Sequence, residues 1–346
     1  MPIWNTVFGQ IWKNYIEMFL INNHKINDPR INLALEEHCL RNLDLKYEYL
    51  LLYVNEPSVI IGRHQNVLEE INHRFVMEKG IRVVRRISGG GAVYHDFGNL
   101  NYSFIRQYER NTLVDIKRII GPVITALNRL GVPAIINDRN NIIAHGKKIS
   151  GSAQFSDTKG IIIHGTLLFD SELDTEAKAL GVKQTNIESK ARKSTRSDVV
   201  NISSYLETPM DMARFRNHLC KTLGETHGGL KEFTLAGRDW DDVNALSEKK
   251  YNSWHWNFGK SPEFTVWKTV PVNSGKIDTR IDVKRGAIKN IMFNGGLDVW
   301  PEPKDLVRTL KGRRYDAKAI ISALKDVDLD HYLGDITVER FVESIY

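Results

Sequence analysis

Apolar positions along the chain change period several times, and each change marks a predicted element. NLALEEHCLRNL (Asn32–Leu43) repeats its apolar residues at helical spacing. YLLLYVN and SVIIG instead read as two strands, broken at Glu56-Pro57. EEINHRFVMEKG returns to helical spacing and stops at Gly80, and IRVVRR is a strand. After three consecutive glycines, AVYHD and NLNYSFIR (Asn99–Arg106) are strands joined by a turn at Phe97-Gly98. TLVDIKRIIGPVITALNRLG is a long helix kinked near Gly121-Pro122. PAIIN, NIIA, KKISGSAQF and GIIIHGTLLFD follow as strands, with turns at Asn140-Asn141, His145-Gly146 and Lys159-Gly160.

Hairpins mixed with packed helices predict an α+β fold: a mixed, largely antiparallel sheet with helices against it. Strictly alternating strand–helix–strand units are absent, which argues against a Rossmann fold. The stretch Glu172–Leu246 is more helical and polar, and it holds a dense basic run, SKARKSTRSD (Ser189–Asp198). A small α/β unit begins near Leu246, with strands FTVWKTVPV, KIDTRIDVKRG and AIKNIMFNGG and helices over Pro303–Leu310, Ala317–Lys325 and Thr337–Ser344. The expected division is an N-terminal extension (1–17), a main domain (18–245) and an accessory domain (246–346). Ile3, Trp4, Val7, Phe8, Ile11, Trp12, Tyr15 and Ile16 recur at helical spacing, so residues 1–17 are either an added amphipathic helix or an extension ahead of a start at Met18.

Composition narrows the class. With 346 residues the chain is long enough for about two domains. No apolar run reaches the ~18 residues of a membrane span, and the N-terminus resembles neither a secretory signal nor a transit peptide. A cytoplasmic protein that engages no membrane is expected. Lys plus Arg exceed Asp plus Glu by 48 − 42 = 6, a mild excess that suits an anionic ligand or an acidic partner. The basic residues are scattered without interleaved aromatics, so no nucleic-acid partner is expected. Two cysteines, Cys39 and Cys220, suit a reducing compartment and exclude a cysteine-rich metal centre.

The candidate chemistry lies in RRISGGGAVYHD (Arg85–Asp96). Gly89, Gly90 and Gly91 let the backbone approach a ligand and turn N–H groups toward an anion. Arg85 and Arg86 bring guanidinium groups suited to phosphate or carboxylate, and Ser88 adds a hydroxyl. A Gly-rich hairpin turn with two surface arginines fits the same residues. No GxxxxGK[ST], GxGxxG or GxSxG occurs, and no convincing Ser/His/Asp set is visible. Downstream, Lys147 and Lys148 are adjacent in a predicted strand, so one faces solvent and the other a pocket beside the small residues of SGSA. His164 and Gly165 interrupt an apolar strand, as a satisfied core histidine or as a point of ligand approach. The residues alone indicate an anion- and acyl-binding pocket on a sheet.

The order RRISGGGAVYHDFGNLNYSF, then KKISGSA, then HGTLLF strongly resembles the lipoate–protein ligase family. PSVIIGRHQN (Pro57–Asn66) and the linker-like SWHWNFGKSPEF (Ser253–Phe264) extend the resemblance over nearly all of the chain from Met18. It implies a catalytic domain related to biotin ligases and class II aminoacyl-tRNA synthetases, with a small accessory domain. It also implies a two-step reaction. Lipoate and ATP, with Mg2+, give lipoyl-AMP, and a lysine of an E2 lipoyl domain or of glycine-cleavage H protein then takes the lipoyl group. Lys148 resembles the family's essential lysine. Arg86 and Gly89–Gly91 are expected to hold phosphates, with Ser88 and Asn99 assisting. Ala92, His95, Ser150, Ala153, His164, Gly165 and Thr166 are expected around the acyl-adenylate. The family's usual GRND reads DRNN here: Asn140 matches, but Asn141 replaces an aspartate suited to Mg2+. Asp198 stands where the family commonly has a basic residue. Alternatives are a lipoyltransferase that uses preformed lipoyl-AMP, a carrier-to-carrier acyltransferase with a cysteine nucleophile, and a binding protein without turnover. Octanoate is expected to be accepted as well as lipoate, because a dithiolane and an alkyl tail differ little in a hydrophobic pocket.

Overall fold

The structure is a computed structural model that describes residues 17–108, 115–181, 186–195, 197–272, 275–294, 303–333 and 336–346. The helical reading of residues 3–16 lies outside the described residues.

The strands are β1 (Met18–Ile21), β2 (Glu48–Val54), β3 (Ser58–Ile61), β4 (Arg82–Arg85), β5 (Val93–His95), β6 (Asn99–Gln107), β7 (Ala134–Ile136) and β8 (Ile142–Ala144). They continue with β9 (Lys147–Ser150), β10 (Ser152–Ser156), β11 (Gly160–Leu168), β12 (Ile187–Ser189), β13 (Lys231–Phe233), β14 (Phe264–Val272), β15 (Gly275–Lys284) and β16 (Ala287–Asn294). The main sheet has six strands in the order β10-β11-β6-β2-β1-β13. Its first four strands pair antiparallel, while β1 runs parallel to both β2 and β13. Two three-stranded sheets, β4-β3-β5 and β7-β8-β9, flank it. The architecture is the mixed α+β fold expected from the hairpins.

The alternation in β2 explains why the sheet is covered on both faces. Leu50 and Leu52 point into one core with helices Ile116–Arg129 and Met212–Thr226, through Ile120, Leu127, Phe215 and Leu219. Tyr49, Leu51 and Tyr53 point into the other, against helix α1 (Pro29–Asn42) through Leu33, Leu35 and Leu40. Asp28 caps α1 by accepting from the Arg30 amide at 2.8 Å, with Pro29 at the first helical position. The α1 face toward the sheet also carries Glu36, which is buried.

Three local expectations change. KKISGSAQF is two strands in different sheets, β9 and β10, parted at Gly151. EEINHRFVMEKG contains two short helices, Val67–Glu70 and His73–Glu78, each started by an asparagine side chain (Asn66, Asn72) that accepts a backbone N–H. A short helix, Asp330–Leu333, was unmarked in the sequence. Toward the C-terminus β12, β14, β15 and β16 form a four-stranded antiparallel sheet. Helices Lys304–Leu310, Ala317–Leu324 and Val338–Ile345 cover it and share its core.

Arg85, expected beside the ligand, is fully buried and acts as a joint. It donates through Nη1 to the carbonyls of Gly62 (2.9 Å) and Gln65 (2.7 Å). Nη2 donates to the Asn257 carbonyl (2.9 Å) and Ser261 Oγ (3.0 Å). Its amide donates to Asn257 Oδ1 at 2.9 Å. The segment leading to the C-terminal sheet is thereby tied to β4. Burial, with Arg86 beside it, pushes the guanidinium down to about 10. Only a planar, five-donor group meets these acceptors together. Arg85→Lys is expected to lower unfolding free energy by about 3 kcal/mol in urea denaturation, because several buried acceptors lose their donor.

Candidate active site

The glycine loop joins β4 to β5, the two strands that flank β3. Arg86 braces it from inside. Its Nε donates to Ser88 Oγ (2.9 Å), Nη1 to the Ile60 carbonyl (3.0 Å), and Nη2 to the carbonyls of Gly89 (2.6 Å) and Gly91 (2.8 Å). The guanidinium therefore faces loop carbonyls, not a phosphate position. Gly90 takes φ 90°, a conformation that favours glycine. A Cβ on Gly91 would lie 2.9 Å from Ser194 Oγ. Ser194 Oγ accepts from the Ala92 amide (2.9 Å) and Gln65 Nε2 (3.0 Å) and donates to Glu70. The basic run is thus clasped onto the glycine loop. In the sequence the run reads as a dense basic loop, and only Asp198 at its end falls on a position the family resemblance singles out.

A buried polar chain continues from Ser88. Ser88 Oγ lies 2.7 Å from His164 Nε2, and His164 Nδ1 lies 2.8 Å from Glu36 Oε2. Tyr53 donates to Glu36 Oε1 at 3.0 Å. A Glu36 carboxylate can only accept, so His164 Nδ1 carries a proton toward it, and in the neutral ring Nε2 then accepts from Ser88 Oγ. This is a Ser/His/Glu order that the sequence hid, because Glu36 comes from α1 and His164 from β11. Ser88 is fully buried and absent from the cavity wall, so the chain holds the loop and is not a nucleophilic triad.

Two adjoining cavities open here. The smaller, about 190 Å³, has a buried end formed by Leu33, Tyr53, Ile60 and His95. Its mouth carries exposed Arg139, Arg192 and Lys193. The larger, about 690 Å³, is walled by Leu173, Ala177, Leu180, Ile187 and Val199, with Glu69, Glu70 and Glu176. Lys148 lies on both walls. The β9 pleat exposes Lys147 and turns Lys148 inward. Val199 bridges Lys148, whose amide donates to the Asp198 carbonyl at 2.8 Å. A Cβ on Gly151 would lie 2.8 Å from Lys148 Nζ and 3.7 Å from Asn141 Oδ1, so the missing side chain makes room for both. Burial lowers the Lys148 pKa, Glu176 opposes that, and Arg86 adds to it.

Arg86, Gly90, Gly91, Ala92, His95, Asn141, Ala153, His164, Gly165 and Thr166 also reach the smaller cavity. Gly89 and the buried Ser150 and Asn99 do not; Asn99 supports Asn101, which does, by donating to its Oδ1 at 3.0 Å. Asn140 is not on the wall; it turns the chain with φ 59°, and its carbonyl accepts at 2.8 Å from Oγ of Ser152, which is on the wall. Gly165 has a protein reason: a Cβ there would overlap the hydroxyl of its β6 partner Tyr102.

Known proteins resemble this chain over nearly its whole length. The description "Lipoyl protein ligase A/B catalytic domain" matches residues 28–224, and "Bacterial lipoate protein ligase C-terminus" matches 261–345. Lipoate-protein ligase LplJ of Bacillus subtilis (strain 168) is 45% identical over 331 residues, 95% of this chain and 100% of its own. The chain belongs to the lipoate–protein ligase family. It is an enzyme of the ligase class. Lipoate–protein ligase 1 of Staphylococcus aureus (strain Mu50) is 40% identical, over 92% of this chain and 97% of its own. Among solved structures, a bi-partite lipoate protein ligase with its E2 lipoyl domain from Thermoplasma acidophilum aligns with TM-score 0.60 and 27% identity, over 71% of this chain and 97% of that one. A lipoate-protein ligase A bound with ATP aligns with TM-score 0.60 and 26% identity, over 70% and 98%.

For this ligase the resemblance implied Mg2+ near Asn141. Among the described residues no group of three His, Cys, Asp or Glu side chains could hold a metal ion. Asn141 offers a neutral oxygen on a wall that also carries Lys148, Arg139 and Arg192. These residues do not build a protein metal site. Among the described residues no helix is long and apolar enough to cross a membrane.

Glu176 was missed in the sequence, where it is one acid of a polar helix. Burial raises its pKa to about 7, Lys148 opposes that, and Asp96 adds to it. A raised carboxyl binds more protons folded than unfolded between its ordinary value and about 7. Stability is therefore lost as pH rises through that window. Glu176→Gln is expected to flatten this loss, up to about 3 kcal/mol in the native protein, when urea denaturation is compared at pH 5 and pH 8.

Proposed function

We propose that the chain activates lipoate with ATP and transfers the lipoyl group to a lysine of an E2 lipoyl domain or of H protein. One observation carries this reading: Lys148 lines a cavity whose wall joins the buried Leu33, Tyr53 and Ile60 to the glycine loop and to the basic Arg139 and Arg192. On the smaller cavity Leu33, Tyr53 and Ile60 suit an acyl tail and Gly90, Gly91, Arg139 and Arg192 suit phosphates, so carboxylate and α-phosphate would meet beside Lys148. The carboxylate oxygen attacks the α-phosphorus and pyrophosphate leaves. The acceptor amine, having lost a proton, then attacks the acyl carbon and AMP leaves. Neither step needs an enzyme nucleophile; positioning and charge stabilisation suffice.

Lys148 would offset charge at the reacting oxygens. The glycine-loop amides, with Arg192 and Lys193 from the basic run, would take the phosphates in place of Arg86. Ala92, Ala153, His164, Gly165 and Thr166 would line the acyl-adenylate, and Asn141 its phosphate side. The relative bound with ATP and the relative studied with its E2 lipoyl domain support ATP and a lipoyl-accepting protein as ligands. A carrier-to-carrier route through a cysteine is disfavoured. Cys39 is buried in the α1 core, burial pushes its thiol up, and neither Cys39 nor Cys220 reaches the cavities. We place the division between the two units near residue 261, not at 245/246. Tyr251 packs in the α1 core and Asn257 binds β4, whereas the C-terminal sheet's long strands begin at Phe264.

The test is to supply the protein with lipoate, ATP as its Mg2+ complex, and apo H protein or an E2 lipoyl domain. Pyrophosphate release together with a lipoyl mass shift on the acceptor is expected. Transfer only from synthetic lipoyl-AMP would favour the transferase reading that Asn141 raises, and silence with both would overturn the ligase assignment. Lys148→Met is expected to lower pyrophosphate release by at least about 100-fold. Its melting temperature is expected to match or exceed that of the native protein, because a buried ammonium with a lowered pKa weakens the fold at neutral pH. A large loss of thermal stability would reassign Lys148 to the fold.

A further inference from the structure

Among the described residues, one on the wall of the smaller cavity holds a buried ring nitrogen without a partner. His95 Nε2 is sealed from solvent and makes no hydrogen bond in the structure. The residue is 4% exposed and lies on the cavity wall. Its tautomer is set by an amide chain starting at a backbone carbonyl. The Ile26 carbonyl accepts from Asn32 Nδ2 (2.9 Å), which also donates to Asn55 Oδ1 (2.9 Å). That orientation turns Asn55 Nδ2 to His95 Nδ1, at 2.9 Å. An amide nitrogen can only donate, so Nδ1 is bare and Nε2 carries the proton. Burial, with Arg86 and His164 nearby, holds the ring down to about 3, and it is neutral.

We infer that the His95 Nε2–H is a specificity determinant, selecting an acyl tail that carries a hydrogen-bond acceptor over a plain alkyl tail. Within the ligase reading on which this rests, the acceptor is a sulphur of the dithiolane ring, and the rejected tail is that of octanoate. A purely apolar pocket separates the two poorly. A buried donor that one ligand satisfies and the other leaves bare separates them further. Sulphur is a weak acceptor, so the discrimination lies toward the low end of the range for an unmet buried group. Leu33, Tyr53 and Ile60 would serve both tails equally.

The experiment is calorimetric binding of lipoate and of octanoate to the full chain, unaltered and as His95→Leu and His95→Gln. The native protein is expected to prefer lipoate by roughly 5- to 150-fold, nearer the lower figure. His95→Leu should bring the two affinities within about threefold, and His95→Gln, which keeps an N–H donor, should retain much of the preference. Equal binding by the native protein, or an unchanged ratio in His95→Leu, would overturn the inference while leaving the ligase reading intact. Should the variants not fold, the native ratio alone decides. Binding of neither acid would overturn both.

Discussion

The site depends on one guanidinium turned inward. Arg86 has no exposed role; it gathers the carbonyls of Ile60, Gly89 and Gly91 and the hydroxyl of Ser88. A glycine run gains backbone freedom but loses order in proportion. Four donated hydrogen bonds restore that order without side chains on the loop's ligand side. Taking up the carbonyls has a second effect, since it leaves the loop's N–H groups as its available polarity. Burial of such a cation is tolerable because every acceptor around it is oriented to receive it, and Glu36 supplies a compensating charge nearby.

The same brace couples elements far apart in the chain. Ser88 passes the connection to His164 on β11, and His164 passes it to Glu36 on α1. On the outer side Ser194 draws the basic run onto Ala92 and Gly91. The loop is held from the core by a polar chain and from the surface by a serine–glutamate clasp. Lys148 arrives independently on β9, which is not part of the main sheet, and Gly151 separates that strand from β10. Lys148 and the glycine loop therefore reach the same cavity from two different sheets.

Much of this was legible in the sequence, and what was not shares a cause. The glycine run, the paired lysines and the His-Gly break are local signals, and Lys147 and Lys148 divide between solvent and pocket as strand alternation requires. The roles of the two arginines were not legible. Arg85 and Arg86 look alike in sequence, yet one joins the linker and the other braces the loop, and only the acceptors around each decide that. Glu36, Ser194 and Glu176 went unmarked because their significance comes from partners more than sixty residues away in the chain, or from burial. Asn99, Asn140 and Ser150 sit in the matching motifs but off the cavity wall, where Asn99 and Asn140 hold the wall residues Asn101 and Ser152. A motif identifies a neighbourhood, and its members divide between lining and support.

Burial gives Lys148 its chemical character and makes it a liability to the fold. An ammonium without an ion pair among the described residues, and with its pKa lowered by burial, is poorly solvated until an anion arrives. A carboxylate on one side and a phosphate on the other would supply the missing countercharge, so affinity for both substrates is drawn from a penalty already present in the empty site. Glu176 moderates that penalty without removing it, because burial holds its own carboxyl near neutrality. A fully ionised partner would quench the lysine and compete with the incoming anions, whereas an apolar wall would leave it undersolvated. With its carboxyl raised toward neutrality, Glu176 would leave Lys148 available to an incoming carboxylate and phosphate.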